Sequence, residues 1–382
     1  MDNIAGSKSS LGWAVQISVV LLVVLWLFPT VGLFVSSFRT ADQISSSGWW
    51  AALFPAEQSE VLRTADPDDE RQPDGDMFVV AGNLFPEDSE KTISTWGTSA
   101  RDVAAYTAGD TADLGDDGML TVNADGSYVW RGSDDALSGR GERVFVTATA
   151  PPEFTMENYE NILFRGGTDD MAKAFFNTLT VTIPATIIPI VIAAFAAYAL
   201  AWMDFPGRAL LIAAVVALLV VPLQLALIPL LRLHLGIGIG KGYLGTWLAH
   251  TGFGLPLAVY LLRNYMVGLP RDIIENAKVD GATDFQIFTK IILPLSFPAL
   301  ASFAIFQFLW TWNDLLVAKV FLIDATGETT VMTNQIVELL GTRGGNWEIL
   351  ATAAFVSIAV PLVVFFTMQR FLVRGLLAGS VK

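Results

Sequence analysis

The stretch Glu275-Asn276-Ala277-Lys278-Val279-Asp280-Gly281, continued to Ile291-Ile292-Leu293-Pro294, is a charged island between two long apolar segments. Spanning helices keep their charges outside the hydrocarbon, so this loop faces water or another protein. Its local grammar is that of two short helices with a bend. Pro270 suits a first helical position, and Asp272 and Glu275 suit the positive end of a helix dipole. Ile273, Ile274, Ala277 and Gly281 fall at helical spacing and form one apolar stripe. Gly281 tolerates the positive φ of a helix C-terminal turn. Thr283 with Gln286 three residues on has capping-box form, so a second helix restarts there, and Pro294 marks entry into the next apolar run.

Working outward, 53% of the 382 residues are hydrophobic, above the usual share of about 45–50% for soluble domains. Long apolar runs make this a polytopic membrane protein. There is no cysteine, which excludes disulfides and thiolate metal sites, and a net charge of −14 argues against a nucleic-acid partner. The charge is uneven. Residues 39–172 hold 26 acidic and 9 basic side chains, so the remainder is slightly basic.

Residues 11–38 exceed the roughly 7–15 apolar residues of a signal-peptide core and read as the first span. Residues 39–172 contain no segment that could cross a membrane. Short β-like runs at 77–80, 119–122, 128–130 and 143–149, with Asp125-Gly126 as a hairpin turn, predict a small β-rich domain. The stretch 65–76 reads as a charged, flexible loop. The acidic clusters of the insertion lack the order of an EF-hand and read as a solvated surface. Five further spans are expected at 174–203, 209–233, 243–266, 295–323 and 350–372, with kinks at the internal prolines. Short-loop cations place both termini and the 267–294 loop in the cytoplasm and the acidic insertion outside.

The quoted residues resemble the EAA loop of permease subunits of bacterial binding-protein-dependent ABC importers, with Asn276 where alanine is usual. Asn177-Thr178-Leu179, Ala197-Tyr198-Ala199-Leu200, Phe205-Pro206-Gly207-Arg208, and the tail Gln369-Arg370-Phe371 to Arg374-Gly375-Leu376 resemble the shorter permease of maltose-type carbohydrate importers. The resemblance covers roughly residues 11–40 and 155–382. It implies an all-α polytopic fold of the type I importer permease class with six transmembrane helices, to which the residues add the β-rich extracytoplasmic insertion. The divisions are then 1–38 (cytoplasmic tail and first span), 39–172 (insertion), 173–372 (permease core) and 373–382 (cytoplasmic tail). It also implies a bacterial inner-membrane location and four kinds of partner: a second permease subunit, cytoplasmic ATP-binding cassette subunits, an extracytoplasmic sugar-binding protein and membrane lipid. ATP is hydrolysed by a partner, and the chain itself binds no cofactor. Glu275, Ala277, Asp280, Gly281, Leu293 and Pro294 are the implied ATPase-coupling residues, and an α-glucoside is the implied substrate.

Intramembrane polar side chains are costly unless they face protein, water or substrate, which makes Asn177, Gln224, Gln307, Trp310, Asn313 and Asp314 candidates for a substrate pathway. Helix–helix hydrogen bonding is the competing reading for the amides, and interfacial anchoring for the tryptophan. Gly240-Lys241-Gly242-Tyr243-Leu244-Gly245 has dinucleotide-loop form but follows an apolar helix, and no phosphate-binding loop occurs. His234 and His250, sixteen apart, lack a ligand pattern and read as surface or helix-end residues rather than a metal or catalytic site. An enzyme is therefore not expected. Two rivals stay open: an ABC permease for a non-sugar solute, and an ion-coupled secondary transporter, for which Asp314 and Lys319 are the only charge pair to consider.

Overall fold

The structure, a computed structural model, describes residues 10–86, 88–164, 171–342 and 345–377. The amino-terminal residues 1–9, with Lys8, and the tail residues 378–382 lie outside the described residues, as do 165–170 of the insertion and Arg343. The chain divides into two units, residues 1–158 with 346–352 and residues 159–345 with 353–382.

The first unit opens with α1 (Ser10–Ser36), whose most apolar window is only 6% buried. An apolar helix this exposed is stable only where its surroundings are hydrocarbon. Its end is closed by side chains: Asn158 Nδ2 donates to the carbonyls of Ser37 and Arg39 at 3.0 and 2.9 Å. Arg39 donates to the carbonyls of Gln43 and Ser47 around α2 (Ala41–Ser46).

Among the described residues nine strands follow, with a short helix between the first two: β1 (Ala56–Arg63), α3 (Pro67–Glu70), β2 (Gln72–Asp74), β3 (Met77–Asn83), β4 (Thr92–Gly97), β5 (Tyr106–Thr107), β6 (Thr111–Asp113), β7 (Met119–Val122), β8 (Ser127–Gly132) and β9 (Arg143–Ala150). They form two antiparallel sheets, ordered β1-β9-β4-β5 and β2-β3-β8-β7-β6. Alternate residues of β9, Val144, Val146 and Ala148, turn inward and share one core with Trp96 of β4, Val80 of β3 and Leu120 of β7. The β7–β8 turn has Asp125-Gly126 at its tip, with Gly126 at φ +83°, and Asp125 accepts from Ser127 N and Oγ. Those two bonds hold the Asp125 carboxyl below the usual carboxylate range.

The 65–76 stretch is not the flexible loop expected from its charge. It contains α3 and β2 because its acids act as acceptors: Asp66 Oδ1 takes Gly141 N at 2.7 Å, Asp68 Oδ1 takes Gly139 N at 3.1 Å, and Arg71 pairs with Asp134.

After α4 (Glu157–Leu163), the second unit is helical: α5 (Met171–Trp202), α6 (Arg208–Leu218), α7 (Leu223–Gly236), α8 (Tyr243–Val267), α9 (Arg271–Val279), α10 (Asp284–Ile287), α11 (Leu293–Leu295), α12 (Phe297–Trp312), α13 (Leu316–Phe321), α14 (Met332–Thr342) and α15 (Trp347–Leu377). Among the described residues three helices are long and apolar enough to cross a membrane, and five spans result if each bent pair counts as one. α8 has 25 residues but carries His250, Arg263 and several glycines, so it is less apolar than those five.

Two expected spans are not continuous helices. The 209–233 run breaks between α6 and α7 with a 111° bend, because Pro222 cannot donate and heads the new helix. The 295–323 run ends at Trp312; Asn313 and Asp314 form a turn before α13, and α14 follows as a further short helix. Similarly, α15 continues to Leu377, past the boundary expected at 372.

Trp96 is fully buried, with its indole N–H on the Thr107 carbonyl at 3.1 Å. Trp96→Ala is expected to destabilise the β-rich unit by about 3–5 kcal/mol. Limited proteolysis of the detergent-purified protein should then cut within 56–150 while the membrane spans stay protected.

Candidate functional site

The 267–294 loop is attached to the helical core by one face. α9 buries Ile274 and Ala277, while Glu275, Asp280 and Gly281 are exposed. The apolar stripe read from the sequence is therefore narrower than expected, since Ile273 and Gly281 face outward. Ala277 packs against the chain's own core with Leu262, Met266 and Ile287, so its small side chain serves an internal contact.

Gly281 closes α9. At φ +81° it lets Ala282 N donate to the Ala277 carbonyl and Gly281 N to the Lys278 carbonyl, both at 3.0 Å, which is a Schellman closure. Thr283 then starts α10 with a reciprocal capping box: Gln286 N donates to Thr283 Oγ1 at 3.3 Å, and Thr283 N donates to Gln286 Oε1 at 2.9 Å. A π-helical turn (Phe288–Ile292) follows and drives Phe288 inward, its ring 4.7 Å from Phe195 and 5.3 Å from Tyr198 of α5. Tyr198 also donates toward Asp284 Oδ1 at 3.4 Å.

Leu293 is half-buried and Pro294 exposed where the chain bends 68° at Ser296 into α12. Pro298 interrupts the ladder there, and the Leu295 carbonyl is taken by Tyr265 Oη of α8 at 3.1 Å. The loop is thus a cantilever: one side is tied to α5, α8 and α12, the other carries Glu275, Asp280, Val279 and Phe285 outward.

The second set of candidates separates into two groups. Asn177 is saturated: its Nδ2 donates to the Glu328 and Thr330 carbonyls at 2.9 Å, and its Oδ1 accepts from Tyr243 Oη at 2.7 Å. Asp314 Oδ2 caps α13 through Ala318 N at 3.1 Å. Gln307 is buried, with Nε2 on the Ala185 carbonyl at 3.2 Å and reaching the His250 carbonyl at 3.5 Å. Gln224, Trp310 and Asn313 are exposed instead, Trp310 by 47%.

His250, read from the sequence as a surface or helix-end residue, is buried mid-helix, its Nε2 3.8 Å from Asp314 Oδ2. His234 is also buried, in the last turn of α7 against Phe321. Glycine and threonine neighbours hid this: they make the α8 sequence look polar enough for a helix end, yet small residues are what allow helices to pack closely around a ring. Gln307, His250 and Asp314 are thereby brought together between α8 and α12, a seam that also reaches the Ala185 carbonyl of α5. Among the described residues no group of three or more His, Asp or Glu side chains is placed to hold a metal ion.

With this geometry in hand, a family model described as the binding-protein-dependent transport system inner membrane component matches residues 164–377. The alpha-glucoside transport system permease protein of Rhizobium meliloti (strain 1021) is 58% identical over 381 residues, 98% of each chain, so the similarity extends through the β-rich insertion. An osmoprotective compounds uptake permease protein of Synechocystis is 55% identical over 65% of this chain and 82% of its own. A trehalose transport system permease protein of Mycobacterium tuberculosis is 36% identical over 61% of this chain and 84% of its own. Among solved structures, a bacterial ABC transporter involved in the import of the acidic polysaccharide alginate overlaps 58% of this chain and 81% of its own, at 21% identity and a TM-score of 0.48.

The closure of α9 gives a direct test. A β-branched residue at a φ of +81° is expected to cost about 1–2 kcal/mol, and asparagine less. Hydrogen exchange across 271–287 should accelerate in Gly281→Val and change little in Gly281→Asn.

Proposed function

Because the chain belongs to the family of binding-protein-dependent transport system inner membrane components, we propose that it is the sugar-translocating permease subunit of an ATP-driven importer for an α-glucoside. The substrate reading rests on the full-length similarity to the Rhizobium protein. Six spans follow if α8 is added to the three helices and two bent pairs, with both termini and the 267–294 loop in the cytoplasm and the β-rich insertion outside. An extracytoplasmic binding protein delivers the sugar, a second permease subunit completes the pore, and separate ATP-binding cassette subunits hydrolyse ATP.

The observation that carries the coupling role is the one-sided attachment of the loop. Ile274, Ala277, Ile287 and Phe288 are buried in the helical core, and Leu293 and Pro294 lead directly into α12. A push on the exposed side, at Glu275, Asp280 and the Gly281 turn, is transmitted to α5 and α12 as a rigid displacement, since packed cores deform little. Along the pathway, Trp310 offers an aromatic face and Gln224 and Asn313 polar groups at exposed positions. Asn177, Gln307 and Asp314 bond to the chain itself and hold the helices.

A second reading, import of an osmoprotective compound, is favoured by the 55% identity to the osmoprotective compounds uptake permease. The two separate in one assay. The complex reconstituted in vesicles with its binding protein should take up labelled maltose or trehalose only with ATP inside, and unlabelled glucosides should compete where glycine betaine does not. Glu275→Lys should lower ATPase co-purification and uptake at least about tenfold while the chain still inserts. ATP-independent uptake by the chain alone would identify an ion-coupled carrier instead.

A further inference from the structure

A groove of about 350 Å³ runs between α5, α6 and α8, walled by Ala199, Leu200, Leu211, Val215, Gly252 and Val259. Leu200, Val215 and Val259 continue it into a smaller hollow of about 50 Å³, at whose lip stands Arg263. This arginine is half-buried and has no ion-pair partner among the described residues. Its Nη1 donates to the adjacent Asn264 at 3.2 Å, and its Nε is buried with no acceptor. Arg208, at the start of α6, differs in that its guanidinium is used on the carbonyls of Leu200, Ala201 and Met203 and on Asp204. One cation at the end of this apolar groove is thus without a counter-charge.

We propose that the groove and Arg263 form a binding site for an anionic phospholipid, one acyl chain lying along α5, α6 and α8 and the phosphodiester accepting from Arg263. The groove supplies shape rather than selectivity, because the bilayer already solvates an acyl chain as well as leucine does. Selectivity comes from the arginine, whose planar guanidinium suits a phosphate through its terminal nitrogens. A zwitterionic head would bring its own ammonium beside Arg263, so a net negative head complements the site better. α6 has no buried residue, and Leu210 and Leu218 on it are exposed apolar side chains beside the groove.

The test is lipid retention by the full chain, purified with its co-purifying subunits into nanodiscs of equal parts phosphatidylcholine and phosphatidylglycerol and read by native mass spectrometry. Wild type should retain phosphatidylglycerol over phosphatidylcholine, and Arg263→Gln should lower that preference about tenfold. In Gly252→Leu the added Cβ meets nothing within 4 Å, the rest of the side chain occupies the groove, and leucine favours helix over glycine. That variant should assemble normally by size exclusion and lose the retained lipid of both kinds. Equal retention of the two lipids by wild type, or unchanged retention in both variants, would overturn the proposal. So would a stoichiometric cross-link from Gly252→Cys to a sister subunit, which would make the occupant a protein helix.

Discussion

A backbone carbonyl left unpaired in hydrocarbon costs several kcal/mol, and the helical unit is arranged around meeting that demand wherever a helix is interrupted. α5 ends at Trp202, and beyond the Phe205-Pro206-Gly207 turn Arg208 folds back onto the carbonyls of Leu200, Ala201 and Met203. α6 ends in three successive tight bonds, from Leu219, Val220 and Val221 to the carbonyls three residues earlier, before Pro222 restarts the helix. The bend at Ser296 hands the Leu295 carbonyl to Tyr265. In these three cases donors within the chain meet the carbonyls freed at the interruption.

Packing on one side gives the 267–294 loop its mechanical character. Phe288 is wedged against α5 and Ile292 is buried in the same core, so the segment from Asp284 to Leu295 moves with the spanning helices. α9 is attached more lightly, through Ile274 and Ala277, and its position depends on the Gly281 closure and the Thr283 capping box that join it to α10. The loop's outward face combines acids with the exposed apolar side chains Val279 and Phe285. An exposed valine and phenylalanine beside carboxylates form a mixed surface of the kind found in protein interfaces rather than in a free loop.

The loop was the most legible part of the sequence, because its signals are local. Glycine at a positive φ and a Thr-x-x-Gln cap each act within four residues and appear in the structure as read, while Pro270 stands one position before the first helical residue, as the N-cap of α9. The β-rich insertion was legible for a similar reason: alternation in 143–149 and an Asp-Gly turn are short-range patterns. The direction in which Ala277 packs was not, since a small residue fits an internal contact as well as an external one. The bends within two spans were not fully legible either, because an internal proline can kink a helix or end it, and the choice depends on which donor waits beside it. His250 was misread for the same tertiary reason: nothing in its neighbours in sequence shows that Asp314 and Gln307 stand opposite.

That seam bears on how the helices can move. Gln307 Oε1 and His250 Nε2 are buried without a hydrogen-bond partner, and Thr182 and Thr311 hold buried hydroxyl oxygens in the same condition on α5 and α12. Each unmade buried bond costs about 1–3 kcal/mol. Such groups weaken the present packing of α5, α8 and α12 relative to any other in which they are paired or hydrated. Two packings close in free energy are what any shift of one helix against another requires. The fully satisfied clamps, Asn177 on the 328–330 segment and Asp314 on α13, resist such movement and keep their segments attached to the helices that carry them. The polar side chains inside the bundle thus include some whose bonds hold neighbouring segments, Asn177 and Asp314, and some that keep an unmade bond, Gln307 and His250.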